Sequence, residues 1–96
     1  MTLTMEHPMS DETANVEARV RRYILENLLF TDDEGELPND ASLLDRGIID
    51  STGVLEVVMF LEETFGIRVK ASEMLPENFD SVDNIVRFVG RQRSAA

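Results

Sequence analysis

The chain has no cysteine, one histidine (His7) and nine Lys plus Arg against nineteen Asp plus Glu. Without cysteine there is no disulfide framework, no thiolate metal site and no cysteine nucleophile. The lone His7 lies in a polar stretch, Met1 to Ser10, and is expected to be inert. The shortage of bases leaves a formal net charge of −10 and a sequence pI near 4.3. Nucleic-acid backbones select positive footprints, so no nucleic-acid partner is expected. Anionic membrane surfaces are disfavoured for the same reason. The longest apolar run, Val57 to Leu61, is five residues, against the roughly 20 needed to span a bilayer. Met1 to Ser10 lacks a basic start and an apolar middle, so it does not read as a secretory signal, and a cytoplasmic protein is expected. Proline is scarce too: three prolines and 43% hydrophobic residues in 96 favour a packed core over acidic disorder. That length suits one domain.

The charge is concentrated. Residues 26–63 hold eleven acids and a single base, Arg46, which accounts for the whole net charge; the remainder is neutral. Residues 1–11 read as a disordered leader, 12–92 as the folded domain and 93–96 as a disordered tail. From residue 12 to about 30 the pattern is helical: Val16, Val20, Tyr23, Ile24 and Leu28 share one face. Ser10 and Thr13 are candidate N-caps. Residues 31–50 form a long connection, and its Leu37, Leu43, Leu44, Ile48 and Ile49 predict a loop that packs down rather than waves in water. Asp32-Asp33-Glu34-Gly35 invites comparison with a calcium loop. Aligning Gly35 with the sixth loop position, however, puts Phe30 and Ala41 where carboxylates are required, so no metal is expected.

A second helix opens at Ser51, with Val54, Val58, Leu61 and Phe65 as its core stripe and Gly66 as its stop. Leu55, Met59 and Glu62 lie beside that stripe, and Glu56 and Glu63 share the polar face. By periodicity alone this is either ordinary surface or a docking face. One short helical turn fits Ala71 to Leu75, before Pro76. Ser81 then caps a last helix running to about Gly90, with Val82, Ile85, Val86 and Val89 inward and Phe88 on the flank. The expected fold is all-α, an antiparallel four-helix bundle of three main helices and one short one, with a long loop between helices 1 and 2.

The segment Gly47-Ile48-Ile49-Asp50-Ser51 leads directly into an acidic helix ending Leu61-Glu62-Glu63-Thr64-Phe65-Gly66-Ile67, and Asp80-Ser81-Val82 opens the last helix. In these features, over about residues 14–90, the chain resembles the acyl carrier protein superfamily. The resemblance implies a monomeric, non-enzymatic carrier with 4′-phosphopantetheine attached to Ser51 by a phosphopantetheinyl transferase acting on coenzyme A. It further implies an acyl- or aminoacyl-loading ligase and acyl-processing enzymes with basic docking patches as partners. Asp50 would help present the serine and the transferase's metal. Leu55, Glu56, Met59, Glu62 and Glu63 match the partner-facing positions. A chain without cysteine must import the thiol of a thioester, which agrees with this picture. A helix N-terminus also favours a phosphodiester anion. Ser51 is not expected to be a hydrolytic nucleophile, for want of a neighbouring base.

Thr52 stands where many members have Leu or Met. Gly53 stands at an often polar position, and a glycine there is expected to weaken the helix start by up to ~1 kcal/mol. The two residues between Gly47 and Asp50 look more like D-alanyl, aminoacyl and peptidyl carriers than like housekeeping fatty-acid carriers. The competing reading is a small acidic helical interaction module that never bears an arm.

Overall fold

The computed structural model describes the chain over residues 8–95, and every regular element among them is helical. Helix α1 spans Pro8–Ile24 and continues as a π-helical turn over Leu25–Leu29. A 3₁₀ turn follows at Glu34–Glu36, then α2 at Ser51–Phe65. Two more 3₁₀ turns, Ala71–Glu73 and Pro76–Phe79, lead into α3, Val82–Ala95.

Two expected boundaries move outward. Helix α1 starts at Pro8, inside the stretch read as a leader, because proline suits the first helical turn, where its missing N–H has no partner to lose. Ser10 and Thr13 therefore lie within the helix. Residues 1–7, including His7, fall outside the described residues. At the other end α3 carries on past Gly90, through Arg93 at the start of the expected tail, to Ala95. The short fourth helix is instead a pair of 3₁₀ turns. Pro76 divides them by forcing Leu75 into extended backbone, at φ −95 and ψ 133.

The core draws on every helix and on the long loop. Val16, Val20 and Ile24 of α1 are buried as their spacing predicts, while Tyr23 and Leu28 are only half-buried. Leu25 joins the core where the α-helix widens into the π turn. In α2 the stripe Val54, Val58 and Leu61 is buried and Val57 broadens it; Phe65 sits at the edge. The largest departure is in α3. Phe88 is fully buried rather than on the flank, its ring edge-on to buried Phe79 with centroids 5.1 Å apart, and Val86 is only half-buried. Arg91 covers the outer side of the Phe88 ring.

The loop is ordered by polar clamps as well as by burial of Leu37, Leu43 and Ile49. Arg21 of α1 donates to the Leu37 carbonyl, to Asn39 Oδ1 at 2.6 Å and to the Glu34 carboxylate at 2.7 Å. Asn39 in turn donates to Glu17. Asp80, just before α3, accepts the Ser42 hydroxyl at 2.9 Å and the Leu44 N–H at 3.0 Å, while its carbonyl accepts the Leu43 N–H. The acidic run from Asp32 to Glu36 thus contains a structural partner, Glu34, and a local turn in which Asp33 accepts the Gly35 N–H.

Candidate functional site

The loop delivers the chain to α2 in a fixed register. Gly47 turns with φ 71, and the N–H groups of both Ile48 and Ile49 converge on the Leu43 carbonyl. Ile49 is thereby driven into the core, 4% exposed, and Asp50 next to it adopts extended backbone and becomes the N-cap. Its Oδ1 accepts the Gly53 N–H at 2.7 Å, and its carbonyl accepts the Val54 N–H at 2.9 Å. Ser51 is then the first helical residue and is exposed, as is Thr52. A helix start leaves its first N–H groups without intrahelical acceptors. Asp50 satisfies one of them through Gly53, and those of Ser51 and Thr52 belong to the positive end of the helix dipole.

This arrangement can accept an electrophile on the Ser51 oxygen and hold an anion close by. Ser51 is exposed, so a group joined to its oxygen would extend toward solvent. Asp50 is committed through one oxygen to the cap. A base to activate the hydroxyl has to come from elsewhere.

The face beside the α2 stripe divides. Leu55 and Met59 are large apolar side chains left 50% and 59% exposed, and Glu56 and Glu63 are exposed around them. Glu62 is half-buried, and its Oε2 accepts the Val69 N–H at 2.9 Å, so this carboxylate closes the turn after α2. Glu56 lies close enough to Tyr23 to act on its phenol. Tyr23 stacks on Phe60 with centroids 4.2 Å apart and planes at 20°. Burial, then the negative charge of Glu56, push the phenol above the usual tyrosine range. This aromatic pair floors a cleft of about 520 Å³ between α1 and α2 that also includes Arg19, Arg22 and Thr64.

The sequence offers no role for Arg21 or for the Glu62 carboxylate's internal bond, and it places Tyr23 only on the apolar face of α1 and Asp80 only at the opening of the last helix. Arg21 carried one faint signal: it sits on the border of the apolar stripe, next to Val20, in a chain with few bases. The others depend on partners far along the chain.

Among the described residues no helix is long and apolar enough to cross a membrane. No family model matches the sequence. The chain is similar to curated proteins named D-alanyl carrier protein from Streptococcus pyogenes, including those of serotype M5 (strain Manfredo), serotype M49 (strain NZ131) and serotype M1. Each is 39% identical over 61 residues, covering 64% of this chain and 76% of the relative.

Proposed function

Because this chain belongs to the acyl carrier protein superfamily, we propose that it carries 4′-phosphopantetheine on Ser51 and shuttles a thioester-bound acyl or aminoacyl group between partner enzymes. The carrier is not itself an enzyme. The observation that carries the assignment to Ser51 is its place as an exposed first residue of α2, next to the capping Asp50. The prosthetic group of the superfamily supplies a thiol on a flexible arm, which this cysteine-free chain lacks. The proposed carrier domain is residues 12–92, with α1 and α3 extending a few residues beyond it at either end.

In the attachment step the Ser51 oxygen forms a bond to the pantetheine-bearing phosphorus of coenzyme A. The pyrophosphate P–O bond breaks, 3′,5′-ADP departs, and the hydroxyl proton passes to a base of the transferase. The chain's own contribution is presentation. Asp50 fixes the helix start, so Ser51 points into solvent, and the helix dipole favours the product phosphodiester.

The names of the relatives favour D-alanine as the cargo, loaded by an adenylating ligase in the cytoplasm. Leu55, Glu56, Met59 and Glu63 are the proposed docking face for that ligase and for downstream enzymes with basic patches. Glu62, placed with them by its position, contributes field more than contact, because its carboxylate is already engaged. One-signed charge speeds encounter with basic partners and loses strength as salt rises. Exposed pairs of this kind are worth about 0–1 kcal/mol each, which suits a shuttle that must leave.

The deciding experiment is intact mass after incubation with coenzyme A and a broad-specificity phosphopantetheinyl transferase. A single phosphopantetheine addition that disappears in Ser51→Ala is expected. A chain that stays unmodified with every transferase tried, and in its own cell, would instead be an acidic helical interaction module. The mass of the native holo protein then identifies the cargo, and any group other than alanine overturns that part of the reading.

A further inference from the structure

Asp80, the residue before Ser81 at the start of α3, meets the loop with its side chain and its backbone together. Its carboxylate accepts the Ser42 hydroxyl, which lies 2.9 Å from each of its oxygens, and the Leu44 N–H at 3.0 Å. Its carbonyl accepts the N–H of Leu43, the residue between those two, at 2.6 Å. Three consecutive loop residues are therefore held on one residue of a distant segment. Leu43 is fully buried and is the pivot. Its own carbonyl accepts the N–H groups of Ile48 and Ile49 at 2.8 and 3.3 Å, and these are the two residues that lead into Asp50. The turn between is tied back as well. Ser42 Oγ accepts the Asp45 N–H at 3.1 Å, and the Leu44 carbonyl accepts the Gly47 N–H at 3.0 Å. Asp80 is half-buried, so its removal strands donors that water reaches poorly.

We propose that Asp80 is a positioning residue for the modification of Ser51: it anchors Leu43, and the Leu43 carbonyl sets where Ile48 and Ile49 deliver Asp50 and Ser51 to the start of α2. The proposal rests on the carrier reading of Ser51. The plainer role for these bonds is a staple that ties the loop to α3 and ends there. The shared acceptor argues for more, because a shift of Leu43 moves the one carbonyl that holds both residues before the cap. Burial of Ile49 steadies the same lead-in. Loss of Asp80 therefore loosens the presentation of Ser51 without unfolding α2.

Two measurements test it. The first needs no transferase: amide hydrogen exchange in Asp80→Ala and in Val16→Ala, a core truncation on α1 that controls for general loss of stability. In D80A the amides of Leu44, Ile48 and Gly53 should all exchange about tenfold faster than in the parent chain, the order of one lost buried hydrogen bond, and faster than in V16A. Faster exchange at Leu44 alone, with Ile48 and Gly53 unchanged, overturns the proposal, since Asp80 then fastens only the loop. The second is kcat/KM for phosphopantetheine transfer, at a temperature where every variant is folded. D80A should be modified about five- to tenfold more slowly than the parent, and V16A within about twofold of it. D80N should recover most of the rate, because its amide oxygen can accept the Leu44 N–H while its NH₂ donates to Ser42 Oγ. Equal slowing in D80A and V16A would reduce Asp80 to a source of stability, and D80N as slow as D80A would show that these bonds are not the cause; either result overturns the positioning role. If the parent chain is not modified at all while the three amides behave as expected, the carrier reading fails and the coupling of Asp80 to the start of α2 stands.

Discussion

The Glu62 carboxylate accepts the backbone N–H of Val69 at 2.9 Å, while the Glu62 carbonyl accepts the N–H of Gly66, which ends α2 with φ 66. One residue therefore closes both the helix and the turn beyond it, and this separates Glu62 from its acidic neighbours on α2. Glu62→Ala and Glu62→Lys should each lower stability by about 1 kcal/mol, the net worth of one hydrogen bond. Glu62→Gln keeps an acceptor oxygen and should retain most of it. Glu56→Lys, at an exposed site, should stay within about 0.5 kcal/mol of the parent yet slow turnover by basic partners. Urea denaturation alongside partner kinetics checks this; equal stability losses for Glu62→Ala and Glu56→Lys would erase the distinction.

Arg21 is the counterpart on α1. Its guanidinium spans the Leu37 carbonyl, Asn39 and Glu34, and its side chain is only 14% exposed, whereas that of Glu34 is 71% exposed. Arg21→Ala strands a carbonyl in the buried part of the loop and should cost about 2 to 3 kcal/mol. Glu34→Ala removes a solvent-screened ion pair and should cost less than about 1 kcal/mol. Arg21→Lys cannot reproduce the fork and should fall nearer to Arg21→Ala than to the parent. Chemical denaturation of the three variants reads the order directly.

The difference between these two cases and Ser51 shows what a single sequence exposes. The start of α2 is legible because its signals are local: Asp50 and Ser51 form the cap, the stripe Val54, Val58 and Leu61 follows at once, and Gly66 stops the helix. The loop's burial was legible too, since Leu37, Leu43 and Ile49 have nowhere else to go. Phe88 was misplaced because its burial depends on Phe79, which the 3₁₀ turn after Pro76 swings into its path. The Arg21 fork joins atoms 13 to 18 residues apart, and no periodicity registers it. Gly53 misled in the other direction: propensity scores a residue against its own helix and does not see the buried Ile49 Cβ, which would lie 3.3 Å from a side chain there.

Tyr23 is the only tyrosine, so phenolate absorbance in the near ultraviolet reports it alone. Burial and then Glu56 raise its pKa. The folded state therefore holds the phenolic proton more tightly than the unfolded chain, whose value is about 10. This contribution to stability is fully present below about pH 10 and is lost as pH rises through the higher folded value. Alkaline titration should show a midpoint above the ordinary tyrosine value. Glu56→Gln should lower it part of the way and leave the share due to burial. A midpoint that does not move in Glu56→Gln would show that the carboxylate does not act on the phenol.

Phe30 ends the π turn in left-handed backbone, φ 56 and ψ 43, the only non-glycine residue with positive φ among the described residues. Its ring is 81% exposed, so packing does not compensate. The conformation nevertheless satisfies the end of the helix, because the N–H groups of Phe30 and Thr31 both reach the Leu25 carbonyl. Helix stops of this type ordinarily use glycine, and a side chain there costs about 1–2 kcal/mol. Phe30→Gly relieves that strain but gives the unfolded chain more freedom, so a net gain of about 1 kcal/mol is expected. Phe30→Asn should also stabilise, since asparagine tolerates the left-handed region. Phe30→Ala keeps the strain while removing an exposed ring, and should remain within about 0.5 kcal/mol of the parent. The order glycine and asparagine above alanine and phenylalanine, read from denaturation midpoints, locates the effect in the backbone. If alanine stabilises as much as glycine, the exposed ring rather than the φ angle is the source of the cost.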